Sequence, residues 1–243
     1  MPVPRLHVPL PLAEGQLLLL PSGPARHVQV LRLQPGMPVV LFNGEGGEHE
    51  AVVHTMGRSD VQVQVGRAVA VDRELPVQVT LAVGMPANDR MDTVVEKATE
   101  LGVTAIQPLV CERSVLRLAG ERAAKRREHW QAIAVAAAEQ CGRTAVPQVH
   151  AVQPLAGWLA QLPTVPGLRL LLSPGAAPQP LPTAVQGSVL TLSGPEGGLS
   201  AQEEALAAAH GFVPTQLGPR ILRADTAPLA VMAWFALHRE TQR

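Results

Sequence analysis

Apolar and polar residues alternate along much of the chain before Asp72, which is the pattern of half-buried β-strands. The alternation is clearest in residues 60–65, and residues 69–71 continue it. Short strands of this kind, separated by glycine-bearing turns, favour a small β-barrel over residues 1–72.

Two segments of this region have patterns of their own. Residues 39–42 form an apolar run that leads into the glycine-rich segment 43–47, which predicts a hairpin turn. Residues 26–32 are compatible with a short helix that carries Arg26 and Arg32 on its surface.

Beyond a linker predicted at residues 72–77, apolar runs of strand length alternate with stretches of helical periodicity. The predicted strands are residues 77–83, 103–110, 168–172, 189–192 and 212–217. One predicted helix has Met91 and Leu101 on its apolar face and ends at Gly102. A longer helix is predicted from the spacing of Trp130, Ile133, Ala134, Ala137 and Cys141. This alternation predicts an α/β domain with a parallel sheet over residues 73–243, with a proline- and alanine-rich loop at residues 173–183.

The final helix is predicted to begin near Asp225 and to be apolar on two faces. One face carries Leu229, Met232, Ala233, Ala236 and Leu237, and the other carries Val231, Trp234 and Phe235. A helix with more than one apolar face is usually buried on more than one side. The second face therefore packs either inside the domain or against another subunit, and we favour the subunit interface.

The composition limits the classes of protein to consider. Hydrophobic residues make up 47% of the 243 positions, and no apolar run approaches the roughly 20 residues of a membrane-spanning helix. The first residues lack the apolar core of a secretion signal, so we expect a soluble cytoplasmic protein. Cys111 and Cys141 lie far apart and outside any Cys-x-x-Cys pattern, so neither a disulfide framework nor a zinc site is predicted.

Charge is balanced over the whole chain but not locally. The formal net charge is zero, and an aromatic content of 2% argues against a surface that stacks many bases. Six basic residues and a single acid nevertheless fall between Arg113 and Arg127. This segment is either a solvated helix face or a patch that faces an RNA backbone.

The first candidate binding loop is Gly194-Pro195-Glu196-Gly197-Gly198, which follows an apolar strand. Its glycines allow the backbone to approach a ligand closely. It has neither the Gly-Lys-Ser/Thr of a Walker loop nor the G-x-G-x-x-G of a dinucleotide site, and Glu196 would repel a phosphate. Ser200 and Glu203 form the S-x-x-E pattern of a helix capping box. The segment is either a tight strand-to-helix turn or a site for a neutral or cationic ligand.

The second candidate loop, residues 217–223, places Arg220 and Arg223 among apolar neighbours. These arginines either pair with Asp225 or Glu196, or contact an RNA phosphate or a polarised base. Asp225 is well placed to cap the final helix. Two glycine-bearing loops suggest a ligand site lined largely by backbone, at the carboxyl ends of neighbouring strands.

Taken together, these segments resemble those of the bacterial 16S ribosomal RNA uridine N3-methyltransferases of the SPOUT superfamily. The resemblance covers nearly the whole chain, and the combination of motifs is highly specific. It rests on residues 26–27, 30–32 and 36, on residues 90–91 and 95–103, on residues 112–114, 138–143 and 146–147, and on the two loops.

The resemblance implies a PUA-like N-terminal β-barrel and a C-terminal α/β methyltransferase domain with a deep trefoil knot. It also implies a homodimer, no metal, and S-adenosylmethionine as the methyl donor. The residues that match the family's cofactor-binding segments are Leu172, Ser173, Gly194, Pro195, Glu196, Gly197, Gly198, Leu217, Gly218, Ile221 and Leu222.

The implied reaction suggests roles for three residues of the second loop and the turn after it. Uridine N3 becomes a good nucleophile only when its proton leaves, and an arginine can stabilise the resulting anionic O2 or O4. Arg223 is the first candidate for this role and Arg220 the alternative. Asp225 is the weaker candidate for accepting the proton or orienting the arginine. The family usually has Glu at this position, so the carboxylate of Asp225 reaches one methylene less far.

The predicted RNA-binding residues are Arg26, Arg32, Arg113, Arg117, Arg126 and Arg143. Two alternatives to the hypothesis of a uridine N3-methyltransferase stay open. One is a related SPOUT enzyme that methylates a ribose 2′-oxygen, and the other is a non-enzymatic RNA-binding or ribosome-assembly factor with a vestigial cofactor pocket. The sequence leaves open which nucleotide is modified, and whether naked RNA or an assembled subunit is the substrate.

Overall fold

A computed structural model describes residues 3–58, 60–87, 89–163, 167–173, 179–182, 185 and 187–237. The chain divides into two compact units. The first comprises Met1–Glu74 and Ala138–Val146, and the second comprises Leu75–Ala137 and Pro147–Arg243.

The first unit contains a five-stranded sheet and one helix. Its elements are β1 (Arg5–His7), β2 (Leu17–Leu19), α1 (Ser22–Val30), β3 (Pro38–Phe42), β4 (Glu48–Met56) and β5 (Val61–Val69). The strand order is β1-β3-β4-β5-β2, with β1 parallel to β3 and the other pairs antiparallel. The predicted hairpin joins β3 to β4, and the alternation of β5 is confirmed because Val61, Val63 and Val65 are buried between half-buried residues.

Helix α1 ends earlier than the sequence pattern suggested, because the chain leaves the helix in a left-handed turn. The amide of Arg32 donates to the carbonyl of Gln29, and the amide of Leu33 donates to the carbonyl of Val28. These two bonds define a Schellman motif, in which Arg32, at φ 54°, occupies the left-handed position that usually holds glycine. Arg26 is therefore on the helix, whereas Arg32 lies beyond its end.

The second unit is built on a parallel sheet. Its elements are β6 (Gln78–Gly84), α2 (Arg90–Glu100), β7 (Ala105–Val110), α3 (Gly120–Cys141), β8 (Gln148–Val149), β9 (Gln153–Pro154), α4 (Leu155–Ala160), β10 (Leu168–Leu172), β11 (Ser188–Ser193), α5 (Ala201–Ala209), β12 (Val213–Pro214) and α6 (Thr226–Leu237). The last residues of α3, from Ala138 onward, belong to the first unit. The strand order is β12-β10-β11-β6-β7-β8, and β9 also pairs with β7.

Helices cover this sheet on both faces. Leu171 and Leu192 share an apolar cluster with Trp158 of α4 and Ala207 of α5. Because successive strand residues point to opposite faces, Ser193 points away from that cluster. Helix α6 packs against α2, β6 and β11, so it covers the opposite face.

Two strand predictions need correction. Strand β12 is limited to Val213–Pro214, because Phe212 packs into the core cluster and the chain beyond Thr215 turns into the second loop. Strands β11 and β12, which precede the two loops, are not neighbours, since β10 lies between them. Most of the predicted loop at residues 173–183 lies outside the described residues.

The final helix begins at Thr226, close to the predicted start. Val231 and Phe235, from the face that we assigned to a subunit interface, are buried within the unit, so for these two residues the packing is internal. Trp234 of the same face is half-buried and donates its indole N–H to the carbonyl of Pro182 at 3.1 Å. No helix among the described residues is both long enough and apolar enough to span a membrane.

Candidate active site

The principal cavity, of about 530 Å³, lies at the carboxyl ends of β10 and β11. Its volume falls within the range of small-molecule sites. Three chain segments meet there: the end of β10, the first loop and the second loop. The lining residues are Arg90, Arg113, Leu172, Ser173, Ser193, Gly194, Pro195, Glu196, Gly197, Gly198, Leu199, Glu204, Ile221, Leu222, Arg223, Ala224 and Ala227.

A second cavity of about 190 Å³ adjoins the first and shares Leu172, Ser173, Ile221, Leu222 and Ala227 with it. Its remaining lining residues are Thr215, Gln216, Leu217, Gly218, Pro219 and Arg220. Every residue that the sequence assigned to the cofactor therefore lines at least one of the two cavities. Because β10 lies between β11 and β12, Leu172 and Ser173 can contribute to both.

The first loop is held tightly against the end of β6. A Cβ atom at Gly84 would lie 2.6 Å from Cδ of Pro195, and one at Gly194 would lie 2.8 Å from the backbone of Gly198. Neither position has room for a side chain, so both glycines are required for the close approach. The predicted capping box is confirmed, since Ser200 Oγ accepts from the amide of Glu203 and Glu203 accepts from the amide of Ser200.

Glu196 is fixed by contacts that the sequence did not suggest. One carboxylate oxygen accepts a hydrogen bond from the amide of Ala87 at 2.9 Å, and the same oxygen lies 3.6 Å from Nη1 of Arg90. The ion-pair partner of Glu196 is therefore Arg90 rather than Arg220 or Arg223. The carboxylate stays on the lining of the cavity, where it disfavours an anionic ligand.

Arg113 lies on the wall of the principal cavity. Its Nη1 donates to the carbonyl of Gly197 at 3.1 Å and to that of Leu199 at 3.3 Å. These bonds place the first charge of the basic segment against the first loop, so a change at Arg113 affects the cavity as well as any RNA surface.

Three polar lining residues were not among the sequence candidates: Arg90, Ser193 and Glu204. Glu204 accepts a hydrogen bond from the hydroxyl of Ser173 at 2.5 Å, which joins the end of β10 to α5. The sequence could have identified Arg90 as a site residue, because Arg90 belongs to the segments that carry the family resemblance. Glu204 and Ser193 adjoin recognised motifs, yet only the folded sheet shows that both residues line the cavity.

The structure separates the three catalytic candidates. Arg223 is exposed and lines the principal cavity, whereas Arg220 is exposed and lines the smaller one. Asp225 is half-buried at the start of α6 and accepts a long 3.5 Å hydrogen bond from the hydroxyl of Thr226. Asp225 does not belong to the described lining of either cavity.

The other predicted RNA-binding residues fall into different environments. Arg26 and Arg32 are exposed in the first unit. Arg117 is exposed and donates to the carbonyl of Glu112 at 2.6 Å. Arg126 lies 3.6 Å from a carboxylate oxygen of Asp92, and its Cζ lies over the Trp130 ring at 5.8 Å from the ring centroid.

Arg143 differs from the other arginines because it is only 4% exposed. Its Nε lies 3.0 Å from one carboxylate oxygen of Glu74, and Nη2 also pairs with that carboxylate. These contacts show that Arg143 has a structural role in the first unit. Its role in RNA binding stays a prediction.

No group of three or more His, Cys, Asp or Glu side chains in the described part of the chain could hold a metal ion. Both cysteines are free, with Cys111 buried and Cys141 half-buried.

Two family models match this chain. Residues 73–236 match the family model of an RNA methyltransferase domain, and residues 25–66 match that of an RNA methyltransferase PUA domain. The ribosomal RNA small subunit methyltransferase E of Bacillus subtilis is 31% identical over 226 residues, which cover 89% of this chain and 88% of the relative. The Synechocystis protein of the same name is 34% identical over 210 residues, which cover 84% and 67%.

Solved structures show the same architecture. The ribosomal RNA small subunit methyltransferase E of Neisseria gonorrhoeae, bound to S-adenosylmethionine, superposes with a TM-score of 0.88 at 37% identity and covers 95% of each chain. A methyltransferase from Legionella pneumophila, solved with its cofactor S-adenosylmethionine, gives a TM-score of 0.90 at 33% identity and covers 97% of each chain. The chain therefore belongs to the ribosomal RNA small subunit methyltransferase E family and is an RNA methyltransferase with a PUA domain and a parallel-sheet α/β methyltransferase domain.

Proposed function

We propose that this enzyme transfers the methyl group of S-adenosylmethionine to N3 of a uridine in the 16S RNA of the small ribosomal subunit. The observation that carries the proposal is that Arg223 lines the same cavity as the loop Gly194–Gly198. This arrangement brings an exposed cation to the lining of a pocket whose walls suit a neutral or cationic small molecule.

The cavity fits the cofactor in shape and in charge. The contacts of Gly84 and Gly194 leave the first loop as a wall of bare backbone, which can follow a flat nucleoside closely. Leu172, Ile221 and Leu222 supply apolar surface, and the carboxylates of Glu196 and Glu204 favour a ligand that carries positive charge. When bound, S-adenosylmethionine supplies a methyl group that its sulfonium centre already activates.

The remaining task of the protein is to favour the uridinate form and to hold N3 in line with the methyl group. The guanidinium of Arg223 stabilises the negative charge that develops on O2 or O4 when the N3 proton leaves. Arg220, which faces the smaller cavity, is the alternative donor. Asp225 holds the adjoining turn or accepts the N3 proton. Its position outside both described linings favours the first of these roles, in which case the N3 proton passes to solvent water.

RNA binding by the basic segment is supported by a third cavity in the second unit, of about 780 Å³. Arg117, Arg127 and His150 contribute to its lining, and no acidic residue does. The Nε of Arg127 donates to the carbonyl of Val149 at 2.9 Å, which fixes the guanidinium at the edge of the cavity. A groove whose described lining carries two arginines, Arg117 and Arg127, suits the phosphate backbone of RNA.

In the first unit, we assign RNA contacts to Arg26 and Arg32, both of which are exposed. Arg126 and Arg143 are weaker candidates because carboxylates of Asp92 and Glu74 already engage them.

From the family resemblance, we also propose that the protein is a homodimer and that its chain forms a trefoil knot. Ile221 and Leu237 are 85% and 72% exposed, respectively, which leaves apolar surface for a second subunit to cover. The proposed substrate places the enzyme in the cytoplasm, where small ribosomal subunits are made. Light scattering on the purified protein tests the dimer.

The decisive experiment is mass mapping of 16S RNA after incubation of the protein with labelled S-adenosylmethionine. Parallel reactions with naked RNA and with assembled small subunits identify the substrate. A methyl group on N3 of one uridine supports the proposal, whereas a methyl group on a ribose 2′-oxygen identifies the alternative reaction. RNA binding without any methylation in either reaction identifies a non-catalytic factor.

A further inference from the structure

Ser193, the last residue of β11, carries a buried hydroxyl whose hydrogen-bonding capacity is unused within the protein. The residue is 2% exposed and lines the principal cavity. Its Oγ has no hydrogen-bond partner among the residues that the structure describes. A buried polar group of this kind is uncommon in native proteins and calls for a physical explanation.

Four other buried hydroxyls of the second unit have partners within the protein. Ser173 donates to Glu204, Ser200 accepts from the amide of Glu203, and Ser114 accepts from the amide of Cys111 at 2.9 Å. Thr215 donates to the carbonyl of Val213 at 2.9 Å. The hydroxyl of Ser193 therefore stands out against a background of paired neighbours.

The surroundings of Ser193 explain why a ligand can supply the missing partner. Ser193 pairs in register with Leu172 on β10 and with Val83 on β6, so it lies at the centre of the carboxyl edge of the sheet. Gly194 follows it and begins the first loop. Ser193 and that loop line the same cavity, so a ligand bound against the loop lies next to this residue.

We propose that the hydroxyl of Ser193 is a direct hydrogen-bonding ligand of the bound cofactor, and that it engages a polar atom of that molecule. This inference rests on the proposed function, because it takes an adenosyl amino acid as the occupant of the cavity. Ser193 contributes to cofactor affinity rather than to the fold, so removal of its hydroxyl weakens binding without destabilising the ligand-free protein.

The test uses Ser193→Ala in the full chain, with S-adenosylhomocysteine as the probe in titration calorimetry. We expect about a 10-fold loss of affinity, because a hydroxyl–ligand bond is lost from a desolvated site. The melting temperature of the ligand-free variant is expected to be unchanged or raised, since an unsatisfied polar group has been removed.

Ser114→Ala is the matched control. The hydroxyl of Ser114 is buried but satisfied, and it lies outside the lining of the principal cavity. Its loss leaves the amide of Cys111 without a partner, so we expect a lower melting temperature and unchanged affinity for S-adenosylhomocysteine.

The outcomes separate this inference from the proposed function. If the wild-type protein fails to bind S-adenosylhomocysteine, the proposed function is wrong. If the wild type binds it and Ser193→Ala binds it equally well, the cofactor does not engage the hydroxyl and the inference is overturned. A Ser193→Ala variant that loses affinity and also melts at a lower temperature, as is expected of Ser114→Ala, contradicts the assignment as well.

Discussion

The guanidinium of Arg113 donates a hydrogen bond to the carbonyl oxygen of Gly197 at 3.1 Å, although 84 positions separate the two residues. The first basic residue of the segment from Arg113 to Arg127 thus supports the first loop. The sequence pattern of this segment indicated either a solvated helix face or an RNA contact. The bond ties the start of the basic segment to the wall of the proposed methyl-donor site.

Because of this bond, Arg113→Ala is expected to weaken the binding of S-adenosylhomocysteine by about 10-fold or more, since two carbonyls lose a charged donor. Arg117→Ala is the control, because Arg117 donates to Glu112 and lies outside the principal cavity. Calorimetry on both variants checks the prediction. Unchanged cofactor affinity in Arg113→Ala would show that the contact with Gly197 is not needed for cofactor binding. RNA binding would then be the one role proposed for Arg113.

Arg223→Ala is expected to lower the methylation rate by about 100-fold or more, the usual effect of losing one donor that stabilises a developing anion. Affinity for S-adenosylhomocysteine should stay within about threefold, because Arg223 lines the cavity at its exposed rim. Single-turnover assays with saturating RNA separate this effect from weaker RNA binding.

Arg220→Ala serves as the comparison, since Arg220 faces the smaller cavity. A larger rate loss in Arg220→Ala than in Arg223→Ala would exchange the two roles. Full methylation of 16S RNA by Arg223→Ala excludes Arg223 from catalysis.

Arg32→Gly is expected to stabilise the protein by about 1 kcal/mol, because glycine adopts the left-handed conformation without the steric cost that a side chain adds. The Schellman motifs after α2 and α5 already have glycine at this position, at Gly102 and Gly211. Urea denaturation measures the change, and Arg32→Ala, which keeps the strain, should leave stability nearly unchanged.

If Arg32 is retained to contact RNA, both variants should weaken RNA binding to the same extent. The slope of log affinity against log salt should then fall by about 1 in each variant. If both variants bind RNA as tightly as the wild type, Arg32 does not contact RNA. The stability prediction does not depend on that outcome.

The two cysteines should differ sharply in their reactivity. Burial, reinforced by the nearby carboxylate of Glu203, raises the pKa of the Cys111 thiol to about 12. At pH 8 this thiol is almost entirely protonated, and only the thiolate reacts. A disulfide reagent is therefore expected to modify Cys141, which is half-buried, in the native protein, and to reach Cys111 only after denaturation. Cys141→Ser should abolish the native reaction, and fast modification of that variant would contradict the burial of Cys111.

Local patterns in the sequence determined most of the secondary structure. The two-residue period of β5, the helical spacing of α2 and the capping box at Ser200 are each complete within a few consecutive residues. Their physical causes, alternation of side chains across a strand and satisfaction of the first helical amides, act over the same short distance. The family resemblance added the cofactor and the reaction, because the two loops and the segment at Arg90 occur together.

Only the tertiary structure decided which distant groups meet. The strand order places β10 between the two loops, so Leu172 and Ser173 line both cavities. Residues 138–141 continue the helical pattern of α3, yet residues 138–146 belong to the first unit, where Arg143 pairs with Glu74. Whether an arginine faces RNA, a carbonyl or a carboxylate, and whether Ser193 has a partner, depends on atoms that lie many positions away along the chain. Composition and periodicity do not predict such contacts, because packing creates them only when the chain folds.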